Sequence, residues 1–431
     1  MKLILDLHIH SRYSRATSKQ MDLENLYKWG KIKGINVIGT GDFTHPEWFK
    51  ELQDKLEPAE PGLFKLKNKF AKEKDKEVPA SCRDNLIRFI LTTEISTIYK
   101  KNDKVRKLHN NLVAPNFKTV AKINTALGKI GNLQADGRPI LGLDSKELLK
   151  ITLEADEDSF FIPSHIWTPW FSMFGSKSGF DAIEEAFDEL APHIKAVETG
   201  LSSDPFMNWR LSALDGITML SNSDAHSPPK LGREANVLNC KLDYYDIINA
   251  IKTGDKRFIG TIEFFPQEGK YHYDGHRKCN VCFDPTETRK HKNLCPKCGK
   301  PLVLGVDYRV EELADRPHDF KPKQHKSVEY IIPLAEVIAE TVNVKSTNSK
   351  KVQTLYFQLI EKFGNEFSIL RKIKTSDFNT NGFALLAEAI KRMRTGKIHV
   401  EPGYDGVYGV IKVFEDKQEM EKFKGQMGLG F

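Results

Sequence analysis

Long hydrophobic runs are absent from this chain of 431 residues. No apolar stretch approaches the roughly 20 residues that a membrane-spanning helix needs, so we expect no membrane partner. The N-terminus also lacks the basic stretch, apolar core and small-residue cleavage site of an export signal, which favours a cytoplasmic protein. Charge of one sign is not in large excess. The net charge of +7 suits an anionic partner but is too small to identify one.

Cysteine is scarce, yet four of the six cysteines form two close pairs. Cys279 and Cys282 make one CxxC motif, and Cys295 and Cys298 make a second after twelve intervening residues. Two such turns can direct four thiolates at one ion, which predicts a structural zinc site. A disulfide pair or a redox motif is the alternative. It is disfavoured because the chain has an intracellular character and no thioredoxin-like βαβ pattern surrounds either pair.

Two histidines separated by one residue follow the first apolar run, Leu3 to Leu7. Alternation along a strand places His8 and His10 on the same side, about 7 Å apart. Two imidazoles at that spacing can bind one metal ion. The alternative is a pair of polar residues on a half-exposed strand.

Further metal-ligand residue types follow other strand-like runs. Helix-length segments separate these runs, and this βαβ rhythm is typical of a mainly parallel sheet or barrel. The C-terminal strand ends of a β/α barrel converge on one face, where active sites are built. The residues in these positions are Asp42 with His45, Glu94, His165, and Asp224 with His226. We therefore predict one metal site built from residues far apart in the sequence.

Changes in the pattern of predicted strands, cysteines and helices divide the chain into three parts. Residues 1–265 carry the alternating pattern of strands and helices, and residues 266–310 hold the four-cysteine module. Residues 311–431 show helical periodicity. Within these parts we predict charged or inserted segments at 65–77 and 102–144 and helices over 328–340, 352–363 and 382–393.

The motifs of the first part resemble those of the PHP phosphoesterases. Members of that superfamily are distorted seven-stranded β/α barrels that bind up to three zinc or manganese ions. The resemblance implies an α/β chain with a PHP barrel over residues 1–265, followed here by the zinc module and the helical C-terminal region. It rests on His8 and His10, the Asp42 turn with His45, Glu94, His109, His165, and the Asp224-Ala-His226 segment.

Three strings resemble the endonuclease Q family, and this closer resemblance covers nearly the whole chain. They are Gly-Thr-Gly-Asp-Phe-Thr-His-Pro (39–46), Pro-Ser-His-Ile-Trp-Thr-Pro-Trp-Phe (163–171) and Ser-Asn-Ser-Asp-Ala-His-Ser-Pro (221–228). That family nicks DNA on the 5′ side of deaminated bases, such as uracil, hypoxanthine and xanthine, and at abasic sites. The resemblance implies a nucleoid-associated DNA repair hydrolase that acts on damaged double- or single-stranded DNA, with a DNA-binding region at 311–431.

The resemblance also implies how two to three zinc or manganese ions would be bound. Arg15 occupies the position of an acidic residue in the usual PHP pattern, and Phe43 occupies that of a histidine. Both departures concern the third site. The implied sites are a first of His8, His10, Glu94 and Asp224, a second of Glu94, His109 and His165, and a third of His226, Asp42 and His45.

We predict catalytic roles for four residues. Asp224 and Glu94 would act as metal ligands. Arg15 can contact the scissile phosphate through its planar guanidinium, or it can form a surface salt bridge. Glu198 can orient a ligand histidine, or it can belong to a buried structural ion pair.

An aromatic segment directly follows His165. Its members are Trp167, Trp170, Phe171 and Phe174. Such side chains can enter a duplex or stack on an extruded base. The alternative is an ordinary buried loop.

Two rival functions fit less of the chain. A small-molecule phosphatase of the histidinol-phosphatase type needs neither the zinc module nor the C-terminal region. An inactive DNA-binding adaptor does not need a nearly complete set of metal ligands.

The last six residues, 426–431, resemble a shortened sliding-clamp binding box. Such a tail would tether the enzyme to a sliding clamp on DNA and raise its local concentration there. A frayed apolar tail is the alternative.

Overall fold

The structure is a computed structural model that describes residues 1–416, 418–421 and 423. It is a mixed α/β protein with a helical C-terminal region, which confirms the predicted fold class. The predicted clamp-binding tail, residues 426–431, lies outside the described residues. Within the described part of the chain, no helix combines the length and the apolar character needed to cross a bilayer.

The first region alternates strands with helices, as the sequence pattern predicts. Local signals set its boundaries: the side chain of Asp22 caps the first helix, and Gly34 ends it with a φ of 86°. The elements are β1 (Lys2–Asp6), α1 (Leu23–Lys33), β2 (Val37–Gly39), α2 (Pro46–Lys55), β3 (Leu56–Pro58), β4 (Phe64–Leu66), α3 (Asn68–Asp75), β5 (Arg88–Lys101), β6 (Lys104–Ala114), α4 (Phe117–Leu127), β7 (Ile140–Leu141), α5 (Ser145–Ala155), β8 (Phe160–Pro163), α6 (Ile183–Phe187), β9 (Ala196–Glu198), α7 (Pro205–Asn208), β10 (Thr218–Leu220), β11 (Ala235–Asn239), α8 (Tyr244–Thr253) and β12 (Phe258–Glu263).

The strands curve around one interior cluster of apolar side chains. Leu3 and Leu5 of β1 belong to this cluster, whereas Ile4 between them packs into the larger outer cluster, as strand alternation requires. Helix α8 adds Tyr244 to the interior and covers the N-terminal ends of β8 and β10. The other strands contribute Val37, Ile90, Val113, Ile162, Ala196, Leu220 and Leu238. A barrel filled in this way leaves its opposite end available for a site.

Strand pairing in the barrel is mixed in direction. Strands β1, β2 and β5 pair in parallel, and so do β9 and β10. Strand β11 pairs antiparallel with β1 and with β12. The sheet is therefore less uniformly parallel than the alternating pattern predicts. The C-terminal ends of β1, β2 and β5 nevertheless point to one end of the barrel.

The predicted insertion at 102–144 is wrong for its first part. Strand β6 pairs antiparallel with β5 on one side and with β8 on the other, so it belongs to the barrel wall. The charged segment 65–77 does contain an exposed helix, α3, with no buried residue. Three of the six lysines in this segment form ion pairs: Lys65 with Glu57, Lys74 with Glu77, and Lys76 with Glu73.

The remaining elements form the cysteine module and the C-terminal region. They are β13 (Asp274–His276), β14 (Val281–Phe283), α9 (Pro285–Lys290), α10 (Val306–Leu313), β15 (Ser327–Tyr330), α11 (Leu334–Thr341), α12 (Lys350–Phe363), α13 (Glu366–Arg371), α14 (Thr375–Thr380), α15 (Ala384–Arg394), β16 (His399–Glu401) and β17 (Val410–Lys412). Helices α12 and α15 lie where the sequence predicts them.

The helix predicted over 328–340 is wrong at its start. Residues Ser327–Tyr330 form β15, which pairs in parallel with β12 from Gly260 to Glu263. Pro333 separates the strand from α11, because proline is tolerated at a helix start but removes a backbone donor from a strand. The C-terminal region thus adds an edge strand to the barrel sheet.

A buried ion pair joins the barrel to the C-terminal helices. The ammonium of Lys33, at the end of α1, lies 2.7 Å from the carboxylate of Glu366, and both side chains are less than a tenth exposed. Tyr356 donates its hydroxyl to the same carboxylate at 2.6 Å. The backbone N–H of Leu334 donates to it at 3.1 Å. One carboxylate therefore holds α1, α11 and α12 together.

Replacing Glu366 by glutamine should destabilise the protein by about 3–5 kcal/mol, since it leaves the Lys33 ammonium buried without a counter-charge. Urea denaturation followed by tryptophan fluorescence measures the change. As a control, Glu287→Gln removes an exposed partner of Lys290 and should change the free energy of unfolding by less than about 0.5 kcal/mol. Equal stabilities of the two variants would show that the buried pair does not hold the regions together.

Candidate metal centre

Histidines and carboxylates gather at the open end of the barrel, where several strands end. His8 and His10 follow β1, Glu94 lies within β5, and His109 lies within β6. His165, Glu198, Asp224 and His226 come from β8, β9 and β10 or from the residues just after them. The backbone bridge between Ile9 and Ala225 brings the segments after β1 and β10 together.

The backbone is strained where these strands end. Asp42, His165 and Asp224 have φ angles of 50°, 29° and 46°, in the left-handed region that non-glycine residues rarely adopt. Each such residue costs of order 1–3 kcal/mol and persists only when its surroundings determine its conformation. The left-handed turns bend the chain so that the polar side chains face the same centre.

The candidate ligands form three groups that share members. In each group the ligand atoms lie within 4.8 Å of one another. Glu94 belongs to two groups and His10 to two, so the groups form one continuous cluster. The groups are His8, His10 and Glu94; Glu94, His109 and His165; and His10, Asp224 and His226.

The outer nitrogens of the first two histidines are fixed by buried carboxylates. Nδ1 of His8 donates to Glu198 at 2.9 Å, and Nδ1 of His10 donates to Asp42 at 3.1 Å. Their Nε2 atoms and Oδ1 of Asp224 are buried and make no hydrogen bond within the described residues. Metal-ligating histidines show this pattern, with one nitrogen held by a carboxylate and the other facing the ion. These residues therefore fit a metal ion.

The imidazole of His109 is neutral at pH 7, which is the form that binds a metal ion. Burial lowers the pKa of its imidazole to about 4, although the nearby carboxylate of Glu94 acts in the opposite direction. Its Nδ1 lies 2.9 Å from Glu94. An imidazole must be deprotonated to bind a metal, and His109 is already neutral at pH 7, so metal binding does not have to remove a proton from it.

The structure places Asp42 and His45 outside the three ligand groups. The carboxylate of Asp42 accepts hydrogen bonds from the backbone and hydroxyl of Ser11, from the hydroxyl of Ser14, and from His10, which leaves it little capacity for a metal. His45 stacks on Tyr13 at 4.3 Å between ring centroids. The third predicted site thus gathers His226 with His10 and Asp224 instead.

An arginine that the sequence did not single out lies inside the cluster. Nη1 of Arg138 is 3.1 Å from the carboxylate of Glu94, and the Arg138 side chain is 27% exposed. The predicted Arg15 is 78% exposed and pairs with Asp136 at 3.1 Å. Arg138 was missed because it follows no strand-like run, and it reaches the site through the pairing of the next residues, Pro139 and Ile140, with Ser96 of β5.

The aromatic segment after His165 divides into buried and exposed members. Trp167 and Phe174 are each 1% exposed and pack in the core, which is the ordinary role for such residues. The ring of Phe171 packs against that of His109 at a tilt, with 4.7 Å between centroids, and Trp170 is 54% exposed at the rim. Of these four side chains, only Phe171 and Trp170 are placed to contact a molecule bound at the metal centre.

The cysteine module contains a second group of metal-ligand atoms. His276, Cys279, Cys295 and Cys298 lie within 4.8 Å of one another. Cys282, predicted as the fourth ligand, is not in this group. Its sulfur instead lies 4.0 Å from the carbonyl oxygen of Pro402.

Strand register explains the replacement of Cys282. In the hairpin of β13 and β14, His276 pairs with Val281, and Gly275 pairs with Cys282. Directly paired residues share a face, so His276 and Cys282 lie on opposite faces of the hairpin. Three cysteines and one histidine are a recognised tetrahedral zinc set.

A barrel that gathers histidines and carboxylates at one end, followed by a cysteine-rich module and a helical region, defines a metal-binding α/β protein of several parts. Its structure is similar to that of PfuEndoQ from Pyrococcus furiosus, a novel lesion-specific endonuclease, with a TM-score of 0.82 and 30% identity over 99% of each chain. It is also similar to endonuclease Q in complex with a 27-mer duplex substrate that has an abasic lesion at the active site. That match has a TM-score of 0.80 and 31% identity over 96% of this chain and 97% of the other. The chain therefore belongs to the endonuclease Q family.

Sequence relatives extend the comparison. A family model described as the MJ0043 C-terminal domain matches residues 333–397. The chain is 35% identical over 283 residues to the protein MJ0043 of Methanocaldococcus jannaschii, a match that covers 62% of this chain and 34% of that protein. The chain thus spans about a third of the length of MJ0043. It is 27% identical over 426 residues to the protein YqxK of Bacillus subtilis, which covers 95% of this chain and 99% of YqxK.

We predict that His276→Ala removes one zinc equivalent from the purified protein and that Cys282→Ser retains it. The physical reason is that His276, and not Cys282, has a ligand atom within 4.8 Å of the sulfurs of Cys279, Cys295 and Cys298. Elemental analysis of each variant after dialysis against a weak chelator measures the zinc content. Loss of zinc from Cys282→Ser with full zinc in His276→Ala would restore the four-cysteine set.

Proposed function

We propose that this protein is a metal-dependent endonuclease that nicks DNA on the 5′ side of deaminated bases and at abasic sites. Uracil, hypoxanthine and xanthine are the deaminated bases. The observation that carries the proposal is the shared ligand cluster centred on Glu94, in a chain that belongs to the endonuclease Q family. The abasic duplex bound at the active site of a family member supports DNA as the substrate.

The donor set suits two to three zinc or manganese ions in the barrel and one zinc in the cysteine module. When bound, the barrel ions supply Lewis acidity that activates water and offsets the negative charge of a phosphodiester. Glu94 would hold ions of two ligand groups through its two carboxylate oxygens. His10 would hold one ion, because its Nδ1 donates to Asp42 and only Nε2 remains. Glu198 and Asp42 keep the rings of His8 and His10 in place.

Arg138 would bind the scissile phosphate. Its guanidinium enters the cluster and lies 3.1 Å from the carboxylate of Glu94. A planar guanidinium can donate two parallel hydrogen bonds to phosphoryl oxygens. Arg15 pairs with Asp136, two residues before Arg138, and would contact a phosphate farther out.

Trp170 would support an opened duplex. It is exposed, lies five residues after His165, and has the ammonium of Lys107 at 5.2 Å from its ring centroid. An enzyme acting next to a damaged base has to overcome stacking and pairing, and an aromatic face can replace part of the lost stacking.

Asp224→Asn should lower the nicking rate at least about 100-fold with little change in DNA affinity, because the carboxylate of the ligand group with His10 and His226 is lost. A labelled duplex with one uracil, incubated with added zinc or manganese, measures nicking, and fluorescence anisotropy measures binding. Glu157→Gln, an exposed carboxylate change, is the control.

Three outcomes would contradict this assignment. Wild-type nicking by Asp224→Asn would remove Asp224 from the reaction. Hydrolysis of para-nitrophenyl phosphate without nicking by the natural chain would indicate a small-molecule phosphatase. DNA binding with neither reaction would indicate an inactive adaptor.

Trp170→Ala should slow cleavage of a fully paired uracil–adenine substrate by about tenfold or more, since base–aromatic stacking contributes about 1–3 kcal/mol. The loss should be smaller for uracil in single-stranded DNA, which has no pairing to overcome. Tyr245→Ala, an exposed aromatic on α8 at the other end of the barrel, is the matched control. Equal losses on paired and single-stranded substrates would argue against a role in opening the duplex.

A further inference from the structure

The long hairpin of β5 and β6 extends beyond the metal centre. The two strands pair without interruption from Leu91 and Ala114 to Lys101 and Lys104 at the tip. The turn residues Asn102 and Asp103 both have left-handed backbone, with φ angles of 53° and 57°, as a tight two-residue hairpin turn requires. The hairpin is therefore a regular, well-defined element and not an irregular loop.

One face of this hairpin carries the candidate metal ligands and then continues outward. Residues directly opposite each other in an antiparallel pair share a face. The pairs on this face are Glu94 with Asn111, Ser96 with His109, Ile98 with Lys107, and Lys100 with Val105. Burial decreases in that order, from Glu94 at 1% exposed and His109 at 8% to Val105 at 52%. Lys100 is exposed as well.

The opposite face of the hairpin packs against the protein. Arg106 donates to the carbonyl oxygen of Gly179. Lys101 donates to the carbonyl oxygen of Ala186 at 3.2 Å and to Asp188 at 2.9 Å. The ligand-bearing face is thus the one that is open, and Lys107 on it contacts both Trp170 and Phe171.

The open face is basic and apolar beyond the metal ligands. Ile98, Lys100, Val105 and Lys107 occupy it, and none of them is acidic. Val105 lies four residues from His109, which is about 13 Å along a strand. Base pairs stack at about 3.4 Å, so that length corresponds to about four base-pair steps.

We propose that these four residues form a DNA-binding track, called the hairpin track, that contacts the backbone beside the cleaved phosphate. Lys100 and Lys107 contact phosphates of the strand that leaves the metal centre, and Ile98 and Val105 contact its sugars. The inference rests on the proposed endonuclease function and adds to it the surface that holds the flanking duplex.

Salt dependence of binding tests the hairpin track. The slope of log Kd against log salt should fall by about 1 for Lys100→Gln and by about 2 for the double variant Lys100→Gln/Lys107→Gln, since each lysine that contacts a phosphate releases about one counterion. Lys104→Gln is the matched control, because Lys104 is exposed at the same tip but lies on the opposite face. Its slope should equal that of the natural chain. Lys100→Gln alters an exposed residue, so it keeps the test valid even if the double variant folds poorly.

Duplex length gives a second reading. Removing the four base pairs next to the lesion on one flank, so that the duplex no longer reaches along the hairpin track, should weaken binding by the natural chain. The same change should weaken binding by the double variant less. Both flanks are tested separately. Unchanged slopes in the Lys100 and double variants, or an equal fall in Lys104→Gln, would overturn the track while nicking by the natural chain still supports the proposed function. Absence of DNA binding by the natural chain would overturn both.

Discussion

The carboxylate of Glu94 is almost wholly buried, and four imidazoles and one guanidinium surround it. His109 and His165 lie at 2.9 and 3.1 Å, His8 and His10 at 3.5 and 3.4 Å, and Arg138 at 3.1 Å. A buried charge of this kind is tolerated only when it is paired and hydrogen-bonded. Its partners come from segments spread over about 160 residues, so the site exists only when the barrel has closed. Closure of the interior apolar cluster and assembly of the metal centre are thus one event.

Where the sequence pattern places a ligand residue type after an apolar run, as at His8, Glu94 and Asp224, the structure gathers these residues into the candidate ligand groups. Prediction from the sequence failed where the outcome depends on pairing between distant segments. Arg138 lies beside Glu94 because the residues that follow it, Pro139 and β7, pair with β5. His276 replaces Cys282 in its cluster because of a hairpin register that cysteine spacing does not encode. The individual roles of the predicted site residues stay predictions.

The cysteine module also has a mechanical connection to the barrel. Arg309 in α10 donates to the backbone carbonyl oxygens of Phe174, the last member of the aromatic segment after His165, and of Phe180, which follows it. Arg210 from the barrel pairs with Glu311 in the same helix. The module therefore holds the loop that carries Trp170 in position. A metal ion in the module would stabilise the contacts between the module and this loop.

The edge strand β15 has a consequence for how this architecture can be rearranged. The sequence-defined domain begins at residue 333, immediately after β15. A gene fusion that moved only that domain would leave the strand behind, and one cut before residue 327 would leave β12 with an uncovered row of backbone donors and acceptors. Uncovered strand edges promote pairing between chains. Shuffling of this domain during evolution is therefore expected to leave the short segment 327–332 with the barrel.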